Sequence, residues 1–254
     1  MSKNSNKPSV LVPIDASTDE QPDPRLLELL KPARVVLAGW YPVPHQTPPE
    51  QLKRAHEDEV TEYIETIASN LRDDDTAIET VVVFTPDKST TVDRLADEYN
   101  CGVVLVSKAV KRVKRILVPI RTDINLQAIL LLVGVLLMDS EATVTLLYVA
   151  EADEDTGAGK IILRGATDEL QDAGVNPGRI DTVTLESDTP INDIVDAAVN
   201  HDLLVIGESE PSLIEQIIGD VPGQLLDQTD RPVLIVRKLS TGEKGNKHSE
   251  EPPE

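Results

Sequence analysis

Apolar residues stand in short unbroken runs along this chain, and between the runs they recur every three or four positions. Runs of four or five β-branched and leucine residues suit strands buried on both faces, while the three-to-four spacing suits amphipathic helices. In the first half the pattern predicts strands over 10–14, 35–38, 78–84 and 103–106, with helices over 24–30, 50–71 and 91–99. In the second half it predicts strands over 116–120, 143–149, 180–185, 203–206 and 232–236, with helices over 126–138, 160–172 and 191–199. Strands alternating with helices imply βαβ units and parallel sheets.

The two halves repeat one plan. Leu11-Val12-Pro13-Ile14 recurs as Leu117-Val118-Pro119-Ile120, and Ile78-Glu79-Thr80-Val81 resembles Ile180-Asp181-Thr182-Val183. A repeat of this length predicts two copies of one domain, over 8–108 and 113–238, followed by a tail over 239–254 whose composition predicts disorder. The copies part after the fourth strand. Residues 108–114 are too few for the crossover helix and fifth strand that the second copy has room for. The first domain is therefore truncated after its fourth strand, or borrows a strand from elsewhere, and an edge left open would need cover.

Composition narrows the partners. Net charge is −21, with 45 Asp and Glu against 24 Lys and Arg. Nucleic acid is excluded as an expected partner, because phosphate contacts require a basic face. Two readings of the charge stand, an ordinary acidic soluble protein and a halophilic one whose carboxylates work in concentrated salt. Cys101 is the single cysteine, so no disulfide forms within the chain, and its place beside an apolar run marks it as a buried residue. The N-terminal residues 1–8 are polar and carry no signal-peptide core, which with the cysteine count predicts a cytoplasmic protein. The apolar helix over 128–138 spans about 16 Å, short of the ~30 Å hydrocarbon core, so no membrane span is expected. Apolar all round, it should be buried on two sides, one on the sheet and one on the first copy or a second chain.

The opening Val10-Leu11-Val12-Pro13-Ile14-Asp15-Ala16-Ser17, the closing Arg231-Pro232-Val233-Leu234-Ile235-Val236-Arg237, and Gly207 and Gly219 after the fourth apolar run of the second copy resemble the universal stress protein family, as a tandem pair. The resemblance implies an α/β fold: two Rossmann-like (adenine nucleotide alpha hydrolase-like) domains with parallel sheets in strand order 3-2-1-4-5. Any ligand crevice then lies beyond the carboxyl ends of strands one and four. Some members of that family bind ATP there, with a Gly-x-x-Gly turn and a later Gly-Ser or Gly-Thr on the phosphates and a first-strand Asp on the nucleoside.

This chain departs from that pattern. Gly207 and Gly219 match glycines of the loop, but Glu210 stands in place of the second glycine and Asp220 in place of the hydroxyl residue. Glycine lets backbone N–H groups approach a phosphate, and a hydroxyl at a helix N-terminus adds a donor. Two carboxylates there repel a phosphate by a few kcal/mol at about 4 Å, unless a cation bridges them. In the second copy the first-strand position is Arg121, while Asp15 keeps the acid in a copy that lacks the loop. Neither copy owns a complete nucleotide site. Arg121 and Asp220, which depart together, are expected either to pair within 4 Å across the empty crevice or to stand as unrelated solvated charges. Asp220 also reads as a helix N-cap before Pro222.

Other candidates carry less. The four histidines share no ligand spacing, so no metal is expected, and His201 should meet the carbonyls of a helix end. Ser17 reads as a turn residue. The basic run Lys108, Lys111, Arg112, Lys114 and Arg115 reads as a linker contacting acidic surfaces, with anion or partner binding as the other reading. The expected function is a regulatory or interaction module in a stress response, without catalysis or cofactor, forming a homodimer through strand 232–236 as relatives do and meeting a protein partner. The alternatives are an ATP-binding switch or weak ATPase using the loop over 207–223, and a soluble regulatory subunit of a transporter.

Overall fold

A computed structural model of the protein describes residues 7–18, 21–73, 76–108, 110, 112–121, 125–150, 156–208 and 226–237. The first half contains β1 (Ser9–Asp15), α1 (Pro24–Leu29), β2 (Arg34–Pro42), α2 (Pro49–Leu71), β3 (Ala77–Thr85), α3 (Lys88–Glu98) and β4 (Val103–Val106). The second half contains β5 (Arg115–Pro119), α4 (Leu126–Met138), β6 (Thr143–Ala150), α5 (Thr156–Asp172), β7 (Ile180–Glu186), α6 (Pro190–Val199), β8 (Leu203–Gly207) and β9 (Val233–Val236). Each predicted element is present, with ends displaced by a few residues.

Local chemistry accounts for several of these ends. Asp23 caps α1 by accepting from the Arg25 N–H at 2.9 Å, with Pro24 just inside the helix. Asp87 caps α3 by accepting from the Thr90 N–H at 3.1 Å. Pro49 and Pro190 each open a helix, where the N–H that proline lacks would have had no partner.

The strands form one sheet, not two. Its order is β3-β2-β1-β4-β9-β8-β5-β6-β7. The second half alone has the expected 3-2-1-4-5 order, as β7-β6-β5-β8-β9. In the first half β9 takes the fifth place. It runs antiparallel to β4, with Val104 opposite Ile235 and Leu105 opposite Leu234, and parallel to β8, with Val205 beside Leu234. The strand missing from the first copy is thus borrowed from the second. The expected homodimer contact through 232–236 is corrected by the same finding: both edges of β9 are hydrogen-bonded within the chain, so no edge of it remains for another copy.

The core follows the sheet. On one face a single cluster of buried side chains runs through both halves, including Leu26, Leu37 and Ile64 from the first and Leu130, Leu146 and Leu163 from the second. Leu234 and Val236 of β9 belong to it. The opposite face carries two smaller clusters, one under α3 with Leu11, Val36 and Leu95, and one under α6 with Leu117, Leu204 and Ile235. Helix α4 is buried on two sides, as its composition requires. Its second side meets α5, where a Cβ at position 134 would stand in ordinary contact with Ala173 at 3.8 Å and Leu170 at 4.0 Å.

Side chains add to the strand pairing that joins the halves. Lys108, just past β4, donates from Nζ to the carbonyl of Leu226 at 2.8 Å and to that of Thr229. Arg237, just past β9, reaches α3 of the first half. Its Nη1 lies 3.0 Å from Asp97 Oδ1 and its Nη2 3.7 Å from Asp93 Oδ1. Its backbone N–H donates to the Gly102 carbonyl at 2.8 Å.

Cys101 is buried at 1% exposure at the foot of β4, and burial pushes its thiol up to about 11. The thiolate is the reactive form, so the native thiol is expected to be inert at pH 8. A thiol-reactive chromophore should label no cysteine in native protein and one per chain in denaturant. Stoichiometric labelling of the native protein would contradict the burial. The raised value also sets a sign: stability is full below the ordinary thiol value near 9 and falls as pH climbs from there towards 11.

Candidate functional site

In this sheet the halves run in opposite directions, because β4 and β9 are antiparallel. The carboxyl ends of β1 and β4 therefore lie at one end of the sheet, and those of β5 and β8 at the other. The candidate residues divide accordingly. Asp15 belongs to the first crevice; Arg121 and Gly207 belong to the second. Glu210, Gly219 and Asp220 lie outside the described residues, and with them the expected Arg121–Asp220 pair and the loop over 207–223.

At the first crevice the chain makes contacts of its own. Asp15 ends β1, and its Oδ1 accepts from the Ser17 N–H at 2.9 Å and the Ser17 hydroxyl at 2.7 Å. This is an Asx turn, in which a short carboxylate folds back on its own backbone. It makes Ser17 the turn residue that its sequence position suggests. Beyond the carboxyl end of β4, where a phosphate loop would begin, Lys108 instead inserts its ammonium into the carbonyls of the 226–229 segment. Two charge-assisted hydrogen bonds of this kind hold the ammonium in place.

The second crevice keeps more of the expected frame. Strands β5 and β8 are parallel neighbours, with Ile116 beside Leu203. Gly207 ends β8 half-buried, and the Glu208 N–H donates to the Val236 carbonyl at 2.8 Å. Asn125, at the start of α4, adopts a left-handed backbone with φ of 59°, a conformation asparagine tolerates better than most residues. From there its Nδ2 donates to the Glu208 carbonyl at 3.0 Å, tying the turn after β5 to the turn after β8. Sequence reasoning passed over Asn125; a polar residue before an apolar helix was the available signal. Arg121 is exposed at the lip of this crevice.

The remaining candidates resolve into structural roles. His201 has Nδ1 2.7 Å from the Ala197 carbonyl and Nε2 3.0 Å from the Thr145 hydroxyl, so it ties the end of α6 to β6 as a helix-end histidine. His56 stacks on Tyr41 with ring centres 5.0 Å apart. No group of three or more metal-ligating side chains occurs among the described residues. No described helix is long and apolar enough to cross a membrane. Of the basic run, Lys108 serves the joint between halves, Arg112 lies 3.9 Å from Glu141, and the backbone N–H groups of Lys114 and Arg115 both donate to Asp202 Oδ2 at 2.9 Å. Lys111 lies outside the described residues.

Comparison with known proteins agrees with this architecture. Residues 112–237 match the model of the universal stress protein family. A universal stress protein from Archaeoglobus fulgidus DSM 4304 superposes with a TM-score of 0.63 at 11% identity, over 92% of this chain and 97% of that one. A protein of unknown function from Pseudomonas aeruginosa PAO1 superposes with a TM-score of 0.51 at 14% identity, over 90% of this chain and 92% of that one. At these identities the likeness is one of fold. No curated protein is similar enough in sequence to match.

Proposed function

Through residues 112–237 this chain belongs to the universal stress protein family, and from that membership we propose that it is a non-catalytic regulatory or interaction module in a stress response that has lost nucleotide binding. The observation that carries the reading is Lys108. Its ammonium, just beyond β4, is held by the backbone carbonyls of Leu226 and Thr229 instead of facing a phosphate. Asp15, the acid that would meet a nucleoside, already accepts two hydrogen bonds from Ser17 at its Oδ1.

In the second crevice the reading rests on sequence. Arg121 stands where binding members carry Asp, and Glu210 and Asp220 bring negative charge to the phosphate positions. A repulsion of a few kcal/mol is a large share of the roughly 8 kcal/mol that micromolar binding represents.

Calorimetric titration with ATP, AMP and cyclic AMP, with and without magnesium and in both dilute and concentrated salt, tests the proposal. No saturable heat up to millimolar nucleotide is expected. Binding tighter than about 100 µM would overturn it and would favour the switch that uses the loop over 207–223.

A further inference from the structure

Between α1, the linker after β4 and the last turn of α4 lies an open groove of about 1840 Å³. None of the crevice residues named above lines it, and it is larger than the few hundred to 1,000 Å³ of a typical small-molecule pocket. Its floor carries Leu29, Pro32, Val135 and Met138, and Met138 is 66% exposed.

The walls are unlike the rest of the molecule. Lys7, Arg25, Lys31, Arg112, Lys114 and Arg115 line the groove, six of the chain's 24 basic residues, against five of its 45 acidic ones. Some of these cations are already engaged, Lys31 with Glu28 and Asp73 and Arg112 with Glu141. The side chains of Lys114 and Arg115 are exposed and meet no carboxylate among the described residues. Their backbone is held still by Asp202, so the two charges are presented from a fixed segment.

A complementary patch lies on the same molecule. Helix α2 exposes Glu50, Asp58 and Glu62, none of which has a basic partner among the described residues, and Asp58 and Glu62 stand one turn apart on one face. The residues just past the end of α2, Asp73 and Thr76, line the groove itself. At 1.5 Å per residue Glu62 and Asp58 stand roughly 14 and 20 Å back along α2 from its end at the groove, so that groove and carboxylates on one copy can each meet their counterparts on another about a two-fold axis.

We propose that this groove is the contact between two copies of the chain, with the carboxylates of α2 from one copy facing Lys114 and Arg115 of the other over an apolar floor. The sheet edge that relatives are expected to use is closed inside this chain, so the two-fold contact moves to a helical surface. It is independent of nucleotide binding. Complementary charge sets which surfaces meet and is weakened by salt.

Sedimentation velocity of the full chain across a concentration series, at 0.15 M and 1 M salt, is the test. The expected result is a reversible dimer whose dissociation constant rises at least tenfold in Lys114→Glu/Arg115→Glu. It should rise similarly in Asp58→Lys/Glu62→Lys, and return towards the starting value when the four changes are combined. That rescue separates a charge contact from a folding defect. A monomer at every concentration overturns the proposal, as does a dimer indifferent to both pairs of changes. A chain ending at Arg237 is run alongside. If the full chain is a monomer and the shortened one a dimer, the C-terminal segment fills the groove instead. A monomer in every form leaves the groove to a different protein.

Discussion

Ile235→Pro is expected to unfold both halves of the molecule together, at a cost above about 3 kcal/mol. The reason lies in which way each N–H of β9 points. Directly opposed residues in an antiparallel ladder alternate between hydrogen-bonded and non-bonded pairs. The Arg237 N–H donates to Gly102, so Ile235, two residues earlier, is in the bonded class and aims its N–H at Val104 of β4. Proline there removes a bond of the seam between halves and also withdraws a buried side chain, 3% exposed, from the cluster under α6. Proline at Leu234 attacks the other side of the strand, where the N–H faces β8. Chemical denaturation of each variant should show one transition shifted to lower denaturant. The loss of a single half, with the other melting at its original midpoint, would show that β9 is not common to both.

Arg237→Met is the second large effect. The guanidinium is 17% exposed and its partner Asp93 is buried at 6% side-chain exposure on α3, whereas Asp97 is open to solvent at 70%. Removing the cation takes one compensating charge from a buried carboxylate, which costs about 1–3 kcal/mol. The exposed pair with Asp97 contributes at most about 1 kcal/mol of that. Adding Asp93→Asn removes the buried charge that Arg237 faces, so the double variant is expected to recover part of the loss. A double-mutant cycle by denaturant unfolding measures this. A purely additive cycle would mean that Arg237 acts through packing and not through Asp93.

The elements were legible in the sequence because both periods are strong here. The helix at Leu126–Met138 could be delimited from its apolar run, and the paired motifs fixed where each copy begins. What the chain does between its halves was legible only as a shortage: seven residues, 108–114, cannot hold a helix and a strand. That β9 fills the gap depends on pairing Val104 with Ile235 across more than a hundred residues, and no local pattern encodes such a register. Reading β9 as a free edge for a second chain failed for that reason. Lys108 was visible as one charge in a basic run, but its partners are main-chain carbonyls that leave no mark in side-chain spacing. Asp15 was legible as a position, but the bonds of its Oδ1 to the serine two residues away were not. The division of candidates between two ends of the sheet also follows from the antiparallel seam, which the repeat alone does not reveal.

Trp40, the only tryptophan, sits on β2 of the first half and reports on that half alone. Leu204→Ala places a cavity in β8 of the second half, at a side chain with no solvent exposure, and should cost about 2–5 kcal/mol. Urea unfolding of this variant, followed by Trp40 fluorescence and by far-ultraviolet circular dichroism, is the most direct measurement. If one strand completes both halves, the two signals shift together to the same lower midpoint. A Trp40 transition left at the wild-type midpoint, while circular dichroism splits into two steps, would show two independently stable units and contradict the shared strand.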